Sequence, residues 1–418
     1  MKTQIVLLAA GKSSRFYPFN QTHKSMFSIC GRPILGWTLD GLKRIGASEV
    51  VIVVSRDDNE IQDYLENYKG LNLIVRYQEK PLGMGDALLS AKEELDGEFI
   101  VGFPHLVDPK SFETIMEKGG SKSVATILAD ETEEPWKYGI LSLKGKNRAI
   151  GIVEKPPRGS EPSKIRATGV YFLNKNFIRV LESTPKEEYN FEAALDRFMK
   201  VNEVEVIMSK DNVFPLKYPW DIFEIRDYIL QKLPETRAKN AQISKTATLK
   251  GKVIIEDGAR IFDYALIEGP VYIGKDAVVG AYSILRDHSV LEAGAEIQRY
   301  ADCTRSIFSS DSHLHSGFVG DSLIGKSVRI GAGFITANRK IDRSDIDVVI
   351  NDKKVAVGSS YLGVLVGESV RVGINVSTMP GVMIGPKAAI GPGTIVMKNV
   401  ESNTLIYTKQ SLEVKKKT

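Results

Sequence analysis

Cysteine is nearly missing from this 418-residue chain: only Cys30 and Cys303 are present, too few for a disulfide framework. Both read as structural thiols in a reducing compartment. Long apolar runs are missing as well. The stretch Ile5 to Ala10 is too short for a signal h-region, no cleavage-site pattern follows it, and no segment reaches membrane-spanning length. A cytoplasmic protein with no membrane partner is therefore expected. Nor does one charge dominate: 56 Lys and Arg against 52 Asp and Glu leave a net +4, which gives no basis for nucleic-acid binding. The basic run Lys415 to Lys417 reads as a solvated tail. What the chain does have is 43% apolar residues, enough for full hydrophobic cores, and a length that suggests two or three domains.

Two halves follow different periods. Before about residue 230, short apolar runs (Ile5 to Ala10, Val50 to Ser55, Leu73 to Tyr77, Phe99 to Val101) alternate with helical patterns at Ile34 to Ile45, Glu60 to Tyr68 and Asp86 to Leu95. That alternation predicts βα units on a mostly parallel sheet. Further strands at Ser123 to Leu128, Tyr138 to Leu143, Ile150 to Glu154 and Thr168 to Leu173 predict an added mixed β region. Afterwards apolar residues recur every six positions, at Ile243, Leu249, Ile255, Ile261, Ile267, Ile273, Val279, Leu285, Leu291 and Ile297. The register breaks near Cys303, resumes at Phe318, Ile324 and Ile330, and returns at Val366, Val372, Thr378, Ile384, Ile390 and Val396. A hexad places one inward aliphatic on each side of a triangular coil, whereas a helix needs a 3.6 period and a sandwich a period of two. The expected architecture is a Rossmann-like, mixed-sheet α/β domain over residues 1–233, then a left-handed parallel β-helix over 243–408.

The segment Ala9-Ala10-Gly11-Lys12-Ser13-Ser14-Arg15 directly follows the first predicted strand. Small residues there let backbone N–H groups approach a polyphosphate, and Lys12 and Arg15 neutralise its charge. The continuation through Pro18, His23-Lys24-Ser25-Met26 and Gly31-Arg32-Pro33 resembles the signature of the sugar-1-phosphate nucleotidyltransferases. In that family the loop (here Ala9, Ala10, Gly11 and Lys12) holds the nucleoside triphosphate (NTP), and the later lysine, here Lys24, contacts phosphate. Gln78 with Gly83 to Leu88 resembles the base-recognition segment, Tyr138-Gly139 the substrate-pocket turn, Glu154-Lys155-Pro156 the sugar-binding motif, and Thr168-Gly169 the strand closing the pocket. The resemblance implies in-line attack of a sugar 1-phosphate on the α-phosphorus, with Arg15, Lys24 and Mg²⁺ neutralising charge.

One departure stands out. Where the family carries a metal-binding Asp after its fourth strand, this chain reads Phe103-Pro104-His105, and Pro104 is assigned to that place. The family's second metal ligand maps onto Asp221. Asp108 reads as a helix cap ahead of Pro109. Two readings follow: nucleotidyl transfer with a rearranged metal shell, or a nucleotide-sugar-binding regulatory subunit that has lost the reaction.

A second resemblance runs from His313 to Asn338, which is similar to the acetyltransferase half of archaeal-type bifunctional N-acetylglucosamine-1-phosphate uridyltransferases. It implies His315 as general base on an amino sugar, acetyl-CoA as co-substrate and Asn338 as an acyl-site contact, with His313 an alternative base. A neutral imidazole is suited to take the amine proton, for a gain of roughly 10²- to 10⁴-fold. The family Tyr is Phe318 here. An acyltransferase alone is thus a third reading, and the β-helix resemblance implies a homotrimer.

Overall fold

The computed structural model describes residues 4–120, 123–210 and 213–416; Met1, at the head of the chain, and Lys417, in the basic tail, lie outside the described residues. Two compact units are present. The first comprises Met1–Lys12, Thr22–Met26 and Pro33–Pro215, the second Ser13–Gln21, Phe27–Arg32 and Leu216–Thr418.

In the first unit, nine strands form one sheet: β1 (Gln4–Ala9), β2 (Glu49–Ser55), β3 (Asn72–Gln78), β4 (Glu98–Gly102), β5 (Ala125–Glu131), β6 (Gly139–Lys144), β7 (Arg148–Glu154), β8 (Ile165–Asn174) and β9 (Val204–Met208). Their order is β3-β2-β1-β4-β8-β5-β9-β7-β6. The first four are parallel, and β8 enters antiparallel between β4 and β5. Val50 to Val54 are wholly buried, as strands covered by helices on both faces require. Helix α1 (Ile34–Arg44) starts behind Pro33, and Asp58 caps α2 (Asn59–Asn67) by accepting the Ile61 amide at 3.3 Å. The helical pattern expected over Asp86 to Leu95 is broken: α3 covers Met84–Leu89 and a 3₁₀ turn covers Lys92–Glu94. Ser90 Oγ donates to the Asp86 carbonyl at 3.0 Å, a local bond at the point where the α-helix stops. Leu88, Ala91 and Leu95 stay buried, which is why the pattern reads as one helix. Three further helices are α4 (Lys110–Lys118), α5 (Lys175–Glu182) and α6 (Asn190–Val201).

The second unit contains helix α7 (Ile222–Lys232) and a left-handed parallel β-helix. Its short strands stack into three sheets of nine, eight and seven strands that begin at Gln242–Ile243, Thr248–Lys250 and Val253–Ile255. Ile255, Ile261, Ile267, Ile273, Val279, Leu285, Leu291 and Ile297 all point into one core. Full burial of each such side chain stabilises by about 1.5–3 kcal/mol. One expectation is corrected. The inward position after Cys303 is Val319, not Phe318, because the coil shortens: Leu285 pairs with Cys303, but Cys303 pairs with Val319, sixteen residues on rather than eighteen. Val319 is wholly buried, and Phe318 is half-buried on the outside. The core therefore runs unbroken through the stretch where the strict hexad is lost. Between Thr336 and Leu365 the chain leaves the coil and makes the hairpin Asp347–Ile350 with Lys353–Ala356, rejoining where Leu365 pairs with Leu323. Among the described residues no helix is long and apolar enough to cross a membrane.

Candidate functional site

The loop after β1 begins buried and ends exposed: Ala9 and Ala10 are packed away, Gly11 and Lys12 face outward. A Cβ on Gly11 would meet only His23 Nε2, at 4.0 Å, so packing within the protein does not demand glycine there. His23 is buried and neutral, its pKa driven down to about 3 by burial and then by the Lys24 charge. Its amide donates to Asp58 Oδ2 at 2.7 Å, and its Nδ1 accepts the Ser25 amide at 3.3 Å and lies 2.7 Å from Ser25 Oγ. These bonds fix the turn Lys24–Met26 from which Lys24 extends.

Gln78 ends β3 buried, and its Nε2 donates to the Gly83 carbonyl at 3.1 Å and to Asp86 Oδ2 at 2.9 Å. Gly83 has φ 102°, and a Cβ there would lie 2.3 Å from the Glu188 carbonyl oxygen, so no other residue fits. The expected base-recognition segment is thus a turn closed by its own glutamine.

Strands β6 and β7 set Gly139 opposite Glu154. A Cβ on Gly139 would stand 2.9 Å from Glu154 Oε2, so glycine leaves that carboxylate room. Lys155 follows in left-handed backbone, φ 47°. Its Nζ lies 3.2 Å from Glu154 Oε1, 3.0 Å from Tyr189 Oη and 4.6 Å from the centre of that ring. Partial burial opposes the charge, but the Tyr189 hydroxyl and Glu154 hold the ammonium pKa above its ordinary value. Glu192, in the first turn of α6, is the candidate that sequence reading missed. Burial, helped by the Glu154 charge, raises its pKa to about 7. An acid in a first helical turn passes for ordinary dipole pairing, and only its burial marks it out.

Gly169 sits in the bulge of β8 between Ala167 and Tyr171 with φ 90°, and a Cβ would lie 2.5 Å from Phe103 Cε2. Phe103 in turn stacks on His105, ring centres 5.6 Å apart. Between them Pro104 is buried, its carbonyl accepting Thr38 Oγ1 at 3.0 Å. Asp108 is buried and accepts the Lys110 amide at 3.2 Å, at the head of α4.

In the second unit, Arg15 is exposed with its guanidinium carbon 5.8 Å from the centre of the Tyr218 ring, and Tyr218 stacks on Trp220 at 4.7 Å. Asp221 Oδ2 accepts the amides of Lys217 at 2.5 Å and Tyr218 at 2.8 Å, so its carboxylate is fixed in direction. Among the described residues no group of three or more His, Cys, Asp and Glu could hold a metal ion. One oriented carboxylate suits an ion that arrives on a triphosphate and keeps most of its water, not a resident cage.

On the β-helix, His315 is exposed at the end of strand His313–Leu314, its amide donating to the Ile330 carbonyl at 3.0 Å. His313 is half-buried, 3.6 Å from Glu296, and burial lowers its pKa despite that carboxylate. Asn338 Nδ2 donates to Asp321 Oδ2 at 2.6 Å. Arg305 clamps the same carboxylate through Nε at 2.6 Å and Nη2 at 2.9 Å. The strand Gly317–Gly320 separates His315 from Asp321 and its partner Asn338, a span of roughly 13 Å at the usual strand rise.

The nucleotidyl transferase family model matches residues 4–229 of this chain. Over nearly its full length the chain is similar to a "Bifunctional protein GlmU" of Methanococcus maripaludis (29% identity over 99% of both chains) and one of Methanocaldococcus jannaschii (30%, 98% of this chain and 99% of the relative). It is also similar to a "Bifunctional sugar-1-phosphate nucleotidylyltransferase/acetyltransferase" of Sulfurisphaera tokodaii (30%, 94% of this chain and 97% of the relative). With more than half its length matched and these features in place, the chain belongs to the nucleotidyl transferase family.

Proposed function

We propose that this protein joins a nucleoside triphosphate to a sugar 1-phosphate, giving a nucleoside-diphosphate sugar and pyrophosphate, and that its β-helix transfers an acetyl group from acetyl-CoA to an amino sugar. In the first reaction a phosphate oxygen of the sugar phosphate attacks the α-phosphorus, a new P–O bond forms, and the bond to the β-phosphate breaks. Catalysis of such a step is positioning plus charge neutralisation. Gly11 and the backbone around it cradle the triphosphate, and Lys12, Arg15 and Lys24 supply positive charge. Mg²⁺ neutralises phosphate charge when bound, and Asp221 is the carboxylate assigned to it. Gly83 and Gln78 shape the base side of the pocket. Gly139, Glu154, Lys155 and Gly169 form the sugar side, where a carboxylate held by a neighbouring ammonium accepts sugar hydroxyls.

The observation that carries this reading is the Gly139–Glu154 register with Lys155 locked beside it. A glycine that makes room for a carboxylate, and a lysine held in left-handed backbone beside it, support a sugar-binding role for this turn. The full-length similarity to the bifunctional relatives supports both activities. In the second reaction His315 takes the proton of the amine as it attacks the thioester carbonyl, and the CoA thiolate leaves. Asn338, held on Asp321, is the acyl-site contact assigned alongside His315. The β-helix fold favours a homotrimer, in a cytoplasmic enzyme with domains over 1–233 and 243–408.

A second reading, binding without turnover, is supported by Pro104, which the resemblance assigns to the family's metal-ligand place and which is buried with its carbonyl bonded to Thr38. Pyrophosphate release across a panel of triphosphates and sugar 1-phosphates separates the two.

A further inference from the structure

The part of the signature segment over Ser13–Gln21 belongs to the same unit as the β-helix. Within the second unit, Tyr17 Oη donates to the Val400 carbonyl at 2.8 Å, a contact between positions 383 apart in sequence. The same carbonyl accepts the Gly385 amide at 2.8 Å, in the last turns of the coil. A Cβ on Gly385 would lie 2.3 Å from the Tyr17 oxygen, so glycine opens the niche into which the phenol reaches. On either side of Tyr17 the chain is stiff. The Phe16 amide donates to the Ser13 carbonyl and the Phe19 amide to the Phe16 carbonyl, both at 2.8 Å, and Phe16 is buried. Phe19 packs edge-on against Phe27 at 5.3 Å. Arg15 lies inside the first of these turns, two residues from the anchored phenol, with its side chain exposed.

We infer that Tyr17 is a positioning residue: through it the coil around Met383–Val400 sets where Arg15 meets the triphosphate. This rests on the nucleotidyl-transfer reading. A long, exposed arginine has many rotamers, and a cation serves an in-line transfer only if its backbone origin is fixed. The β-helix supplies that fixed point, so it acts on the nucleotidyl reaction as well as carrying its own.

A double-mutant cycle tests this. Wild type, Tyr17→Phe, Arg15→Ala and the double variant are compared in pyrophosphate release, for kcat and KM of the triphosphate, and in titration with the triphosphate alone. Tyr17→Phe keeps the ring and removes only the hydroxyl, with its bonds to the Val400 carbonyl and to Ser402, and thermal melting checks the fold. The expected result is a rise of roughly two- to tenfold in KM for Tyr17→Phe, the range one neutral hydrogen bond allows, with no further loss when Arg15 is already Ala. An unchanged KM, or the same factor in both backgrounds, overturns the inference. If the wild type binds without release, the same cycle is read on Kd with the same criteria. A wild type that neither binds nor releases overturns the nucleotidyl reading itself, and the wild-type arm alone shows which has failed.

Discussion

Glu292 is buried in the β-helix, and its Oε2 accepts the amide of Gly31 at 2.8 Å, joining a turn of the signature segment to a coil that lies 261 positions later. Burial lifts its pKa to about 7, more than the backbone donors lower it. Tyr272, whose hydroxyl a Cβ on Gly31 would approach to 2.5 Å, and the buried Cys30 both lie within reach of the Glu292 charge. The folded pKa lies above the unfolded one, so the native state holds this proton more tightly. Stability from Glu292 is greatest below about pH 4.5, falls as pH rises towards 7 and is flat beyond, a change of about 3 kcal/mol. Denaturant melts of wild type and Glu292→Gln at pH 5 and pH 8 should diverge, the glutamine variant gaining on wild type at pH 8. Parallel pH dependence would show that the carboxyl does not titrate in the folded state.

Lys155 is held between Glu154 and Tyr189, and its loss leaves the Glu154 carboxylate without its cation. Lys155→Ala is expected to raise KM for the sugar 1-phosphate tenfold or more, the scale of one charge-assisted contact, while KM for the triphosphate stays within about twofold. Initial-rate kinetics with each substrate varied in turn decide it; equal rises in both constants count against the sugar assignment.

His315→Ala should abolish acetyl transfer to an amino sugar, by roughly 10²- to 10⁴-fold, and leave pyrophosphate release unchanged. His313→Ala should not reproduce this, since His313 is half-buried against Glu296. A thiol-release assay with acetyl-CoA reads both variants, and loss in His313→Ala alone reverses the assignment.

Ile267, an inward residue of the β-helix core, is wholly buried. Ile267→Ala should cost about 2–5 kcal/mol by deleting buried methyls and leaving a cavity. The outward Phe318→Tyr should cost under about 1 kcal/mol. Thermal denaturation of the two variants tests whether the inward row passes through Val319 and leaves Phe318 outside.

The β-helix was legible because one inward aliphatic per face is a strict geometric demand, and Ile243 through Ile297 obey it. Legibility failed after Cys303 because hydrogen-bonded coils tolerate sixteen residues as well as eighteen, and a fixed count then places Phe318 where Val319 sits. The split of the Asp86 to Leu95 pattern was hidden for a related reason: two short helices can keep one buried face. At the candidate site, Gly83, Gly139 and Gly169 were readable as motif members, yet their reasons lie in distant neighbours: Glu188, Glu154 and Phe103. Glu192 carried no motif at all, and the Tyr17–Val400 contact joins positions too far apart for any local pattern to show.

The central claim is tested most directly by pyrophosphate release from the purified chain with Mg²⁺ across triphosphates and sugar 1-phosphates, with Asp221→Ala alongside. The account predicts release that requires both substrates and falls at least a hundredfold in the variant. Sugar-nucleotide binding with no release from the wild type would contradict it and make the protein a sugar-nucleotide sensor.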